Sequence, residues 1–119
     1  MTLTAPLIAV VENDAGLLSA LGRALRAVGF ATAAFRSAEE FLAAPPTGAH
    51  CLLVDNHLGG MSGLDLQRHL RSRGSILPII LMTAFDDAGA RDEAERLGCA
   101  GYAPKETDLD VLVRLIRSV

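Results

Sequence analysis

The sequence predicts an α/β protein built on a doubly wound, five-stranded parallel sheet. Two observations lead to this fold class. Short continuous apolar runs, typical of strands covered on both faces, alternate with segments whose apolar residues recur every three or four positions. The alternation repeats five times within 119 residues, which favours parallel strands joined by right-handed helical crossovers. In such sheets, a binding site is expected beyond the carboxyl ends of the strands.

The first two strand–helix units are short and well delimited. Leu7–Val11 is a continuous apolar run, and Gly29 ends the helix that follows it. Ala31–Phe35 predicts a weaker second strand. Ser37 and Glu40 match a capping box, so a short helix is predicted to begin there and to end at two consecutive prolines. The apolar stripe of the first helix is formed by Leu17, Leu21, Leu25 and Val28.

The third unit begins with the apolar run Cys51–Val54, and Asp55 stands at its end. The glycine-rich stretch Gly59–Gly63 predicts a turn, and the following apolar pattern predicts a helix that ends at about Arg73. Ile76–Met82 is strongly apolar and predicts the fourth strand.

The fourth strand ends at Thr83, and a polar helix is predicted over Asp86–Leu97, with Asp86 and Asp87 as its cap. Ala100–Ala103 is the fifth predicted strand. Thr107 is predicted to cap the last helix, whose apolar positions are Leu109, Leu112, Leu115 and Ile116.

Composition excludes several classes of protein. The chain has a net charge of −3 and is only 4% aromatic, so we expect no direct nucleic-acid partner. No apolar stretch is long enough to span a bilayer, so we expect no membrane association. Cys51 and Cys99 lack CxxC spacing, which predicts reduced thiols in a cytoplasmic protein. The length predicts one domain over residues 1–119.

Polar residues follow four of the five predicted strands. They are Glu12, Asn13 and Asp14 after the first, Asp55 after the third, Thr83 after the fourth and Lys105 after the fifth. Parallel strands bring these positions to one edge of the sheet. Clustered carboxylates favour a hard divalent cation such as Mg²⁺, while a lysine and a hydroxyl supply further contacts to a phosphoryl group. No GxxxxGK[ST] loop is present, which favours a carboxylate as the phosphoryl acceptor over a bound nucleotide.

The residues at these strand ends resemble the receiver domains of two-component response regulators, over essentially the whole chain. The resemblance rests on Val10–Asp14, Leu53–Asp55 with Leu58–Gly63, Leu81–Ala84 and Gly101–Lys105. It implies a flavodoxin-like sheet with strand order 2-1-3-4-5. The turn Leu58–Gly63 is similar to that of nitrogen-fixation and nitrate regulators.

The resemblance also implies a role for each matching position. Asp55 is the expected phosphoacceptor. Thr83 and Tyr102 are the expected switch pair, with Ala84 as a small residue that leaves access to the phosphoryl group. Lys105 is expected to contact a phosphoryl oxygen. The ligands of Mg²⁺ (or Mn²⁺) are expected to be Glu12, Asn13, Asp55 and the backbone carbonyl of His57.

Three positions depart from the family pattern. Asn13 stands where the family usually has an acidic residue, which removes one negative charge from the metal site. Gly59 replaces a usual proline, which predicts a looser loop. Glu106 follows the lysine where proline, with a cis bond, is common, so that cis bond is not expected here.

The resemblance implies a signalling module rather than a metabolic enzyme. A sensor histidine kinase is the expected phosphoryl donor, and two receivers are expected to pair through the last helices and strand after phosphorylation. No output domain is expected within this chain. Two alternatives stay open: an interaction domain that is not phosphorylated because Asn13 weakens the metal site, and a flavin carrier on the same fold. The acidic turn Glu12–Asp14 argues against the flavin carrier, because it would repel a phosphate.

Overall fold

The structure is a computed structural model that describes residues 5–84 and 88–119. All five strands are parallel, as the residue pattern predicts, and they lie in the order β2-β1-β3-β4-β5 that the resemblance implies. The strands and helices alternate along the chain as β1 (Leu7–Val11), α1 (Ala15–Ala27), β2 (Ala31–Phe35), α2 (Ala38–Ala43), β3 (Ala49–Asp55), α3 (Gly63–Ser72), β4 (Ile79–Thr83), α4 (Ala88–Arg96), β5 (Gly101–Pro104) and α5 (Leu109–Arg117).

The three central strands are buried on both faces, which explains their continuous apolar sequences. Successive side chains alternate between two apolar clusters. One contains Ile8, Val10 and Leu53 and packs against α1 and α5, and the other contains Ala9 and Val11 and packs against the opposite helices. The described residues include no helix long and apolar enough to cross a membrane.

The fourth strand begins later than the sequence predicts. Ile76 is 93% exposed, and regular pairing begins where Ile79 lies opposite Leu52. Pro78 has no backbone N–H to donate, although its carbonyl accepts a hydrogen bond from Leu52 at 2.9 Å. The apolar run therefore includes a connecting loop as well as a strand.

The cap of the last helix is also different from the prediction. Helix α5 begins at Leu109 with Asp108 as its N-cap residue, so the assignment of Thr107 as the cap is wrong. Thr107 instead donates its backbone N–H to the Pro104 carbonyl at 3.0 Å, which closes a turn after β5. The predicted cap of α4, Asp86 and Asp87, lies outside the described residues.

Helix α2 begins at the predicted cap, with one change. The Ser37 hydroxyl accepts from the Glu40 backbone N–H at 3.0 Å. In a capping box, the Glu40 carboxylate would accept from the backbone N–H of Ser37. Here it accepts from the backbone N–H of Arg36, at 2.6 Å. The corner between β2 and α2 is therefore held by two hydrogen bonds from neighbouring side chains.

Gly63 at the start of α3 determines how closely that helix approaches the end of β3. A Cβ at this position would lie 2.7 Å from the Asp55 carbonyl oxygen and 2.8 Å from Leu81 Cδ1. Only glycine permits this approach, because the Asp55 atom is backbone and cannot rotate away.

We predict that Gly63→Ala lowers the free energy of unfolding by roughly 1–3 kcal/mol, because the added methyl group forces a backbone shift. Urea unfolding measures this change. Gly16→Ala is the matched control, since its Cβ would meet only Asp14 Oδ1 at 3.4 Å. The control should be neutral or stabilising by roughly 0.5 kcal/mol. Equal stability of Gly63→Ala and the wild type would contradict the assigned close approach.

Candidate functional site

The carboxyl edge of the sheet brings together four of the polar residues singled out from the sequence. Glu12 follows β1, Asp55 and Thr83 are the last residues of β3 and β4, and Lys105 follows β5. Glu12, Asp55 and Thr83 are all buried. The backbone N–H of Lys105 donates to the Thr83 carbonyl at 2.8 Å, so the lysine extends the pairing of β5 with β4.

Lys105 bridges two buried carboxylates. Its Nζ lies 2.7 Å from Glu12 Oε1 and 3.0 Å from Asp55 Oδ2. The carboxylate side chains are 0% and 1% exposed, and the lysine is 21% exposed. Two buried anions would be costly without a cation between them. With the lysine, the cluster of three side chains keeps one net negative charge.

This arrangement raises the pKa of Lys105 above its ordinary value of 10.5. Burial disfavours the charged form, but the close contacts of the ammonium with the Glu12 and Asp55 carboxylates, and their Coulomb attraction, together outweigh this effect. The lysine is therefore a permanent ammonium ion at neutral pH.

The remaining carboxylate oxygens are only partly satisfied by the protein. Glu12 Oε2 accepts from the Asp14 backbone N–H at 3.1 Å, and Asp55 Oδ1 accepts from the His57 backbone N–H at 3.1 Å. Glu12 Oε1 has no aligned hydrogen-bond donor, so its short contact with Lys105 is an ion pair of poor angular geometry. A buried anionic oxygen with unused lone pairs suits a hard divalent cation.

The oxygen ligands available at this site fit Mg²⁺, but only two of them carry a negative charge. No group of three His, Cys, Asp or Glu side chains that could hold a metal occurs in residues 5–84 and 88–119. Glu12 and Asp55 supply the two charged side chains. The other candidate ligands, the Asn13 amide and the His57 carbonyl, are neutral.

The two residues after Glu12 have different surroundings. The side chain of Asn13 is exposed, and its backbone carbonyl accepts from Arg36 Nε at 3.1 Å and Nη2 at 2.9 Å. Asp14 Oδ1 accepts from the Leu17 backbone N–H at 3.1 Å as the N-cap of α1. One oxygen of the Asp14 carboxylate is therefore directed at the start of α1.

Tyr102, the other expected switch residue, lies in β5. It is opposite Leu81 in the sheet register, its half-buried ring packs against the second apolar cluster, and the Arg91 guanidinium lies 4.9 Å from the ring centroid. His57 contributes its backbone, while its side chain is exposed, and Ala84 is exposed as well.

The sequence analysis overlooked several residues that support the site. Arg36 holds the loop after β1, and Glu39 Oε2 accepts from the Met61 backbone N–H in the loop after β3 at 3.1 Å. Asn56 Oδ1 accepts from Leu64 N–H at 3.1 Å. The contacts of Arg36 and Glu39 span 23 and 22 residues, and that of Asn56 spans 8. None of them follows a local motif, so no sequence signal could have located them.

The backbone geometry is defined at positions 59 and 106, where the sequence departs from the family's usual prolines. Gly59 has a φ of +83°, which proline, with φ near −65°, cannot adopt. No cis peptide bond occurs among the described residues. The Lys105–Glu106 bond is therefore trans, as expected.

Comparison with known proteins assigns this geometry to a family. A sequence profile described as "Response regulator receiver domain" matches residues 8–117. The chain belongs to this family. Receiver domains are the phosphoacceptor signalling modules of two-component response regulators, they interact with sensor histidine kinases, and they generally use Mg²⁺. This assignment favours neither the unphosphorylated interaction domain nor the flavin carrier.

Curated relatives of this receiver domain include transcription regulators. It is 36% identical over 108 residues to the DNA-binding transcriptional regulator NtrC of Klebsiella pneumoniae, covering 90% of this chain and 23% of NtrC. It is 30% identical over 112 residues to the transcriptional regulatory protein FixJ of Bradyrhizobium diazoefficiens, covering 93% of this chain and 55% of FixJ. The chain therefore spans about a quarter of NtrC and about half of FixJ.

Solved structures show the same fold. The crystal structure of FixJ-N superposes with a TM-score of 0.88 at 26% identity, covering 97% of this chain and 93% of that one. A receiver protein from Pseudomonas putida superposes with a TM-score of 0.88 at 27% identity, covering 99% of this chain and 100% of that one.

We predict that Lys105→Met destabilises the metal-free receiver by roughly 1–3 kcal/mol, because it leaves two buried carboxylates without a cation. Mg²⁺ should bind this variant at least as tightly as it binds the wild type, because a competing ammonium is gone. Urea unfolding with and without Mg²⁺ measures both effects. An unchanged stability together with weaker Mg²⁺ binding would contradict the ion-pair geometry.

The difference in unfolding free energy between wild type and Lys105→Met should also depend on pH. Because the folded-state pKa of Lys105 is raised, the stability difference between wild type and Lys105→Met should be fully present below 10.5. It should be lost as the pH rises further, through the folded-state pKa. Unfolding at neutral and strongly alkaline pH checks this sign, and a difference that grows with rising pH would contradict it.

Proposed function

We propose that Asp55 accepts a phosphoryl group from a sensor histidine kinase in a Mg²⁺-dependent reaction that the receiver itself assists. The observation that carries the proposal is the contact of Lys105 with both Glu12 and Asp55. A buried carboxylate beside a second carboxylate and a fixed ammonium is suited to hold a phosphoryl group. The proposed catalysis is limited to gain and loss of this group, so the domain is not a metabolic enzyme.

The chemistry assigns a separate task to each side chain. A carboxylate oxygen of Asp55 forms a bond to phosphorus as the P–N bond of the phosphohistidine breaks, and the histidine leaves with the bonding electrons. Lys105, now facing a phosphoryl group with more charge than the free carboxylate, stabilises it electrostatically. Thr83 is proposed to donate its hydroxyl to a phosphoryl oxygen, with Tyr102 as the ring that follows the movement of Thr83.

The proposed metal ligands are the side chains of Glu12, Asn13 and Asp55 and the backbone carbonyl of His57. When bound, Mg²⁺ supplies positive charge that offsets the repulsion between the carboxylates and the incoming phosphoryl group. A bound Mg²⁺ would be held by the same carboxylates, Glu12 and Asp55, that Lys105 contacts, and its charge would compete with the ammonium group for them.

We predict that Asp55→Asn abolishes labelling by acetyl phosphate in the presence of Mg²⁺ while leaving the domain folded. Asparagine keeps the shape of the side chain and can still contact Lys105, but its amide is not a nucleophile. Intact mass and acid-labile phosphate measure the product, and circular dichroism checks the fold. Asp65→Asn, an exposed carboxylate at the start of α3, is the control and should label normally. Continued labelling of Asp55→Asn would overturn the assignment.

We predict that Asn13→Asp tightens Mg²⁺ binding and lowers the melting temperature of the metal-free protein. The new charge adds repulsion against Glu12 and Asp55, but its attraction to a divalent ion is twice as large at equal distance. Calorimetric titration and thermal melting measure the two effects.

Asp14→Asn is the matched control for this experiment. Asparagine is an equally good N-cap, and Asp14 faces the start of α1, so the Mg²⁺ affinity should change little. Unchanged affinity of Asn13→Asp would remove Asn13 from the proposed ligand set.

The proposal extends to a dimer of phosphorylated receivers and to a cytoplasmic location. Two receivers are proposed to pair after phosphorylation through α4, β5 and α5, where Tyr102, Val111 and Leu115 line a groove and Val111 is 44% exposed. Light scattering of the phosphorylated sample should show a doubled mass.

Two free thiols, Cys51 and Cys99, fit a reducing cytoplasm. Residues 1–119 are proposed to act as one receiver domain.

A further inference from the structure

The loop between Asp55 and α3 is held at its start, where the His57 backbone N–H donates to Asp55 Oδ1 at 3.1 Å and the Leu58 side chain is buried, but it is less restrained after Leu58. It carries His57, whose carbonyl is a proposed metal ligand, and it continues into two adjacent glycines. Gly59 has a left-handed φ of +83°, and neither glycine has a side chain that could pack and hold the backbone. A contact from outside the loop would therefore restrain the glycine segment that follows the His57 carbonyl.

Glu39, in the first turn of α2, supplies such a contact. Its Oε2 accepts a hydrogen bond from the Met61 backbone N–H at 3.1 Å. Helix α2 is anchored in the core, because Ala38 and Phe41 are 0% and 2% exposed. The carboxylate thus extends from a firmly packed helix to a loop that is 22 residues away in sequence.

Gly60 leaves room for this carboxylate. A Cβ at position 60 would lie 2.9 Å from Glu39 Oε2, and the next two atoms, at 3.5 and 3.6 Å, also belong to the Glu39 carboxyl group. The backbone of Gly60 is outside the left-handed region that disfavours other residues. Only the Glu39 side chain therefore opposes a methyl group at position 60.

We propose that Glu39 is a positioning residue for the divalent ion. Its hydrogen bond to Met61 fixes the loop that bears the His57 carbonyl, and Gly60 keeps the space that this bond requires. The inference rests on the proposed Mg²⁺-dependent phosphorylation of Asp55. It adds a residue that touches neither the metal ligands nor the phosphoryl group.

The test is a double-mutant cycle of Glu39→Ala and Gly60→Ala, read by calorimetric Mg²⁺ titration. Each single variant should weaken Mg²⁺ binding roughly 2- to 10-fold, the range expected for losing one hydrogen bond. Gly60→Ala does so without changing any charge, which separates positioning from electrostatics. In the Glu39→Ala background, Gly60→Ala should have no further effect, because the only atoms it would meet are gone. Glu95→Ala, an exposed α4 glutamate, is the charge control and should bind Mg²⁺ like the wild type.

Amide hydrogen exchange of Met61 in metal-free protein gives a second measurement. Exchange should be slow in the wild type and faster in both single variants, with little change in melting temperature, because the contact is local. Unchanged Met61 exchange, or additive losses of affinity in the double variant, would overturn the inference. If the wild type binds Mg²⁺ and labels at Asp55, such a result leaves the proposed function intact. A wild type that binds no Mg²⁺ and does not label would overturn the proposed function itself.

Discussion

The ion pairs of Lys105 with Glu12 and Asp55 are the interaction on which the carboxyl edge of the sheet depends. Strands β1 and β3 place two carboxylates in the protein interior, where two unpaired charges would be costly. The lysine reaches them because its backbone extends β5 beside β4, through the hydrogen bond to Thr83. The proposed phosphoryl site is therefore also the place where the charges of two buried carboxylates are partly neutralised.

This balance explains how an uncharged Asn13 is tolerated. With three carboxylates, one lysine would leave a net charge of −2, whereas two carboxylates leave −1 and a smaller repulsion to overcome. The same change weakens attraction for a divalent ion. Metal-free stability and metal affinity are therefore expected to respond in opposite directions to the residue at position 13, while Asp14 Oδ1 caps α1.

The loops that carry the proposed ligands are held from the corner between β2 and α2. Arg36 holds the Asn13 carbonyl, and Glu39 holds the Met61 N–H. Arg36 directly follows the edge strand β2, and Glu39 lies in the short helix α2. The sequence marks both of these elements only weakly. The proposed metal site is thus supported by parts of the chain that carry none of its ligands.

The sequence by itself determined the five strand–helix units, because apolar runs and helical stripes are local patterns that burial selects. It also placed Glu12, Asp55, Thr83 and Lys105 at strand ends, since parallel topology brings those ends to one edge. It misjudged the start of β4 and the cap of α5, where Pro78 and a turn at Thr107 override the local pattern. Only the tertiary structure decided that Lys105 bridges both carboxylates, and that Arg36 and Glu39 hold the two loops. Those contacts depend on distances between residues far apart in sequence, which no spacing along the chain encodes.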